Sequence, residues 1–312
     1  MQHFIRIAAA LALLIGITGA ARAADEAGKV EAVASFSILG DMVREVGGDR
    51  VKVTTLVGPD GDAHVFSPTP ADAKALAGAK LFFVNGLGFE GWIDRLVKAS
   101  GFKGDVVVTS DGITPRHLAE GHGHHDGDKG HAEEEEEETD PHAWQNLANG
   151  KIYVGSIRDA LIKADPQGRA TYEANAVRYL AAIDKEDRAV KEAVAKLPPE
   201  RRRIITSHDA FHYFGEAYGL EIIAPEGVST ESEASARDVA KIIRQIKAEK
   251  IPAVFLENVT DRRLLDQIAR ETGAKIGGVL YSDALSPPDG PAPTYLDMFR
   301  HNIGALTQAL SS

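Results

Sequence analysis

The sequence predicts an α/β protein of two lobes, each a parallel sheet with flanking helices, separated by one long helical stretch that is either a shared spine or an ordinary packing helix. Three observations predict it. From Val30 onward, short β-rich runs alternate with helix-like segments, the pattern of βαβ units with right-handed crossovers. A stretch with helical spacing, Asp165 to Pro199, then interrupts the alternation. The alternation resumes beyond it, so the second half repeats the architecture of the first without a residue-level repeat. At 312 residues the chain also exceeds the size at which single cores usually stop growing.

Taken in order, the first 23 residues read as an address rather than as structure. Arg6 supplies a positive start, Ile7 to Ala20 is largely apolar, and Ala21-Arg22-Ala23 gives the small-x-small pattern before a cut. That apolar run is short of the roughly 20 residues a membrane span needs. The N-terminal lobe is expected over residues 24–165. Its strands are Val30 to Phe36, Val51 to Val57, Lys80 to Asn85 and Asp105 to Thr109, with helices at Ile38 to Val46 and Ala71 to Ala77. Gly121 to Thr139 breaks the pattern. Its only apolar residue is Ala132, so it cannot pack a core and is expected to be a mobile surface loop. The linking helix, 166–199, opens on Asp165-Pro166, where Asp can cap and Pro suits the first turn, and ends at Pro198-Pro199. The C-terminal lobe, 200–312, has strands at Arg203 to Ser207, Glu221 to Ala224, Ala253 to Glu257 and Lys275 to Leu280. Amphipathic helices fall at Ala236 to Lys250 and Arg262 to Thr272, the latter followed by Gly273 where a C-cap glycine belongs.

Composition narrows the function. A hydrophobic share of 44% with 26% charged residues is ordinary for a soluble fold and excludes general disorder. The formal net charge of -11, with no basic cluster interleaved with aromatics, argues against nucleic acid. There is no cysteine, hence no disulfide, no thiolate ligand and no lipid carried on cysteine. Together with the secretion signal this gives the expectation of a monomeric periplasmic protein that is not lipid-anchored. Any metal site must come from His, Asp and Glu.

Four such residues stand in loops just beyond strands or in connecting segments: His64, His142, His208 and Asp283. Singly, each is an ordinary loop residue. In open α/β sheets, however, ligands gather outside the carboxyl ends of strands, so two facing sheets would bring these loops to one cleft. Three imidazoles and a carboxylate match the nitrogen and oxygen donors of a four-coordinate divalent ion. Asp62, Asp209 and Glu257 are candidates to hold the outer nitrogens of those imidazoles.

Five strings in this order, Gly61-Asp62-Ala63-His64-Val65-Phe66-Ser67-Pro68-Thr69-Pro70, Asp140-Pro141-His142-Ala143-Trp144, Ser207-His208-Asp209-Ala210-Phe211, Gly227-Val228-Ser229-Thr230 and Leu280-Tyr281-Ser282-Asp283-Ala284-Leu285, carry a resemblance. The chain resembles the metal-specific solute-binding proteins of ABC transporters (ZnuA/TroA-like), closest to the periplasmic zinc-binding branch with three His and one Asp. It departs from the common pattern at Ala63, where relatives often have Pro, and at Phe66-Ser67, where they often have Tyr-Glu. The resemblance implies two lobes joined by a single long rigid helix, with a metal held between them by His64 and His142 from the first and His208 and Asp283 from the second. It implies zinc as the cargo, with manganese as the alternative, since relatives handling manganese often carry Glu in place of His208 and nitrogen-rich sites favour zinc. The implied partners are a permease and ATPase complex in the inner membrane. A periplasmic metallochaperone is a further candidate, and the His-rich loop could itself collect zinc weakly. Zinc storage or adhesion are alternative roles. A zinc hydrolase is disfavoured, because four protein ligands leave no open position and no hydrolase motif is present.

Overall fold

The structure, a computed structural model, describes residues 28–117, 139–231 and 234–311. The expected secretion signal and, up to residue 138, the His- and Glu-rich segment lie outside the described residues.

Two four-stranded parallel sheets carry the fold. The first comprises β1 (Val30–Phe36), β2 (Val51–Val57), β3 (Leu81–Val84) and β4 (Asp105–Val108), in the order β2-β1-β3-β4. A short antiparallel pair, β5 (Arg116–His117) and β6 (Thr139–Asp140), brackets the His-rich segment. The second sheet comprises β7 (Arg203–Ile205), β8 (Glu221–Ile223), β9 (Ala253–Glu257) and β10 (Lys275–Leu280), in the order β10-β9-β7-β8. The eight strands of the two sheets fall where the β-rich runs predict them, because β1, β3 and β9 are almost wholly buried and read as continuous apolar runs.

Nine α-helices are described: α1 (Ser37–Gly47), α2 (Pro70–Ala77), α3 (Ile93–Ser100), α4 (Leu147–Ala164), α5 (Arg169–Ala195), α6 (His212–Tyr218), α7 (Ala236–Glu249), α8 (Arg263–Thr272) and α9 (Tyr295–Leu310). Thr69 opens α2 with a reciprocal capping box to Asp72, Ser235 caps α7, and Gly273 ends α8 in the left-handed conformation at φ 77°. The long helix is α5, 27 residues or about 40 Å, shorter at both ends than the sequence pattern suggests. Asp165 does not cap it. Its carboxylate instead accepts hydrogen bonds from Arg50 and from the Tyr172 hydroxyl, and a 3-10 turn at Pro166–Gly168 precedes the helix proper.

α5 does not stand alone: α1, α4 and α9 pack along it. α9, the last helix of the chain, thereby returns to the first half. Its start is tied to α1 by a hydrogen bond from the Tyr295 N–H to the Asp41 carboxylate, 2.9 Å. Gly150 of α4 permits the approach of Tyr295, since a Cβ there would lie 2.6 Å from the tyrosine oxygen. One continuous apolar core therefore runs from β1 through α1, α4 and α5 to α9 and part of the second sheet. A smaller core sits on the other side of that sheet, where Ile205, Val254 and Leu256 meet Ile242 and Ile246 of α7 and Leu265 and Ile268 of α8.

Candidate metal centre

The strands deliver four loops to one point. His64 follows β2, His142 follows β6, His208 follows β7 and Asp283 follows β10. The four residues are all buried, and one donor atom from each lies within 4.8 Å of the others. Asp283 is the hub. Its Oδ2 lies 3.4 Å from His64 Nε2 and 3.1 Å from His208 Nε2, and its Oδ1 lies 3.6 Å from His142 Nε2. Donors about 2.0–2.1 Å from a tetrahedral zinc stand roughly 3.4 Å from one another, so the spacings from the Asp283 oxygens to the three imidazoles are of the size a divalent ion between them needs. His64 Nε2, His142 Nε2 and Asp283 Oδ1 are buried with no hydrogen-bond partner, which is the state expected of atoms reserved for a cation.

Carboxylates hold the three histidines from outside, all by the backbone and two also by the ring. The Asp62 carboxylate accepts the His64 backbone N–H at 2.9 Å, and the Asp140 carboxylate accepts that of His142 at 3.0 Å. Glu257 accepts the backbone N–H of both Ser207 and His208, at 2.7 and 3.0 Å. Asp140 also meets His142 Nδ1 at 2.9 Å, and Glu257 meets His208 Nδ1 at 2.7 Å, leaving Nε2 of each ring directed at the centre. Of the three outer acids expected from the sequence, Glu257 takes that role and Asp62 does so only through the backbone. Asp209 does not; it lies 2.5 Å from His212 Nε2. Asp140 was not expected. The signal that could have found it is the repeated Asp-x-His spacing of Asp62-Ala63-His64 and Asp140-Pro141-His142.

Apolar and backbone groups close the rest of the site. Phe89 stands edge-on to His64, ring centroids 4.7 Å apart, and Trp92 donates to the Ala63 carbonyl at 2.8 Å. The Ser282 carbonyl accepts both the Trp144 indole N–H at 3.0 Å and the Gln145 amide at 2.7 Å, joining the loop of His142 to that of Asp283. Burial disfavours charge on either member of the His208 and Asp283 pair, but their mutual attraction prevails. Glu257 and Asp283 hold the His208 imidazolium well above the usual histidine range, and His208 and His142 hold Asp283 well below the usual carboxylate range.

With this geometry in view, the family described as "Zinc-uptake complex component A periplasmic" (ZnuA) matches residues 32–309. The chain belongs to that family. Among curated proteins it is 34% identical over 279 residues to the manganese-binding lipoprotein MntA of Halalkalibacterium halodurans, covering 89% of this chain and 88% of the relative. Among solved structures it is similar to the Mn-bound periplasmic metal-binding protein of Candidatus Liberibacter asiaticus, at 34% identity and TM-score 0.78, covering 90% and 99% of the two chains. It is also similar to the periplasmic zinc-binding protein TroA of Treponema pallidum, at 30% identity and TM-score 0.82, covering 91% and 99%. The protein is thus the substrate-binding component of a metal ABC transporter and not an enzyme.

The relatives correct one expectation. MntA and the streptococcal SsaB, FimA and MtsA are all named lipoproteins, so a protein without a lipid anchor is not what family membership indicates. The missing cysteine excludes only a lipid carried on cysteine, and lipids are attached to proteins through other groups as well. No helix among the described residues is long and apolar enough to cross a membrane.

Proposed function

We propose that the protein captures zinc with His64, His142, His208 and Asp283 and hands it to the permease of an ABC importer powered by its ATPase. The observation that carries this reading is the convergence of three buried imidazoles and one buried carboxylate, whose donor atoms lie within 4.8 Å of one another. His208 tips the reading toward zinc. A third imidazole makes the set nitrogen-rich, which suits zinc, whereas manganese favours carboxylate and water oxygens. Two ligands come from each side of α5, so loading closes a shell that neither half supplies alone.

Manganese is the second reading, because the similar proteins MntA and the Liberibacter protein are named or titled for it. Competitive titration of the metal-free protein with zinc and manganese decides between them. Zinc is expected to displace manganese at equal concentration, and the reverse order would overturn the zinc reading. Replacing any of the four ligands by Ala is expected to weaken zinc binding by at least about 100-fold, more than the 10- to 100-fold loss typical of an outer partner. His208→Glu is expected to narrow the zinc preference toward manganese.

A further inference from the structure

Glu90 is a buried carboxylate outside the four ligands and the acids that hold them. It sits in the turn after β3, held by neutral donors. Its Oε1 accepts the Ser35 hydroxyl at 2.6 Å and the Asn85 N–H at 2.7 Å, and its Oε2 accepts the Gly86 N–H at 3.3 Å. Burial raises its pKa, and these donors oppose the rise. A carboxylate in such a place costs the fold stability that an apolar side chain would not.

Its surroundings indicate what it secures. The turn it folds contains three consecutive residues of positive φ, Gly86 at 86°, Leu87 at 57° and Gly88 at 82°. Leucine is rarely found there, so outside contacts must fix the conformation. From this turn two paths run to the centre. Phe89, the neighbour of Glu90, sets its ring edge-on against His64 and lies 6.0 Å from His142. Asn85, whose backbone Glu90 fixes, donates its side-chain amide to the Pro141 carbonyl at 2.9 Å, immediately before His142. The Tyr153 hydroxyl of α4 completes the chain by donating to Asn85 Oδ1 at 2.5 Å.

We infer that Glu90 is a positioning residue for the metal: through Phe89 and Asn85 it sets the rings of His64 and His142 without touching the cargo. This rests on the four-ligand reading above. It assigns the first half of the protein its own device for presetting two ligands, beside the acids that hold each histidine through its backbone or its ring.

The test uses the full chain as Glu90→Gln and Tyr153→Phe, with cobalt(II) as a spectroscopic probe, zinc competition for affinity, and the melting temperature of the metal-free protein for structure. Both variants are expected to lose about tenfold or more in zinc affinity and to show displaced cobalt ligand-field bands, even where the melting temperature of Tyr153→Phe barely moves. Wild-type bands and affinity with only a lower melting temperature would reduce Glu90 to a structural role and overturn the inference. If Glu90→Gln does not fold, Ser35→Ala decides in its place, since it removes one donor from the Glu90 carboxylate, and wild-type affinity and bands in it would overturn the inference. His64→Ala separates the two readings. If it leaves cobalt binding unchanged, the four-ligand site itself fails; if it abolishes binding while Glu90→Gln and Tyr153→Phe behave as wild type, only the positioning role fails.

Discussion

At the scale of single residues, each ligand imidazole is anchored twice, once at its own backbone N–H by a carboxylate and once at the centre by Asp283. Asp140→Asn and Glu257→Gln keep the shape of those anchors and remove their charge, so each is expected to lower zinc affinity 10- to 100-fold in a chelator competition. The His208 and Asp283 pair also fixes the pH response. With His208 raised, the metal-free fold holds a proton there that the unfolded chain releases near pH 6.5. That contribution to stability is full below the unfolded value and is lost as pH rises through the folded one. Asp283 is depressed, so its contribution is present above the unfolded value of about 4 and is lost as pH falls through the folded one. On the proposed reading, an ion bound by His208 displaces that proton. Its affinity is therefore expected to rise with pH across the neutral range, with a proton released on binding that calorimetry in buffers of different ionisation heat will detect. The meeting of His64, His142, His208 and Asp283 at one buried point was legible in the sequence because strand ends and residue type together narrow the choice. Asp140 was not, because its role depends on a two-residue turn folding its carboxylate back onto His142, and Asp209 misled because its nearest imidazole is His212.

At the scale of elements, the contact between α1 and α9 has a measurable cost. Burial raises the Asp41 carboxyl to about 6, against the hydrogen bond it accepts from Tyr295. A raised acid binds its proton more tightly in the folded state, so stability falls as pH climbs from about 4 to 6 and the loss persists above that. Asp41→Asn keeps an acceptor for Tyr295 without the charge. Since each tenfold change in proton affinity is worth roughly 1.4 kcal/mol, the substitution is expected to stabilise the fold by about 2 to 3 kcal/mol at pH 8. Little gain is expected at pH 4, and denaturant unfolding at the two pH values reads the difference. The strands and the amphipathic helices α7 and α8 were legible because their apolar residues keep one period. Helices α4 and α9 were not singled out: each meets neighbours on more than one face, and Gly150 and Gly155 interrupt the apolar stripe of α4, so no single face stands out.

At the scale of the whole molecule, the two halves are bound together by more than α5. The Leu285 N–H donates to the Ser37 hydroxyl, the Asp60 N–H to the Leu285 carbonyl, the Asn258 amide to Asp60, and the Thr230 hydroxyl to Asp62. With α9 packed on α1 and α5 as well, a wide hinge opening would break all of these at once. Small-angle scattering curves of metal-free and metal-loaded protein are accordingly expected to superimpose; a clear increase in radius on metal removal would contradict it. The family resemblance implied a rigid linker but not these ties, which join residues far apart in the chain and leave no local pattern. The Ser282 carbonyl carries their consequence furthest. By accepting both Trp144 and Gln145 it joins the loop of His142 to that of Asp283 through protein atoms alone, so loading exposes or covers little apolar surface. Metal capture should then show a heat-capacity change near zero. Release is then expected to depend on the receiving membrane complex parting the donors rather than on a spontaneous wide opening of the halves.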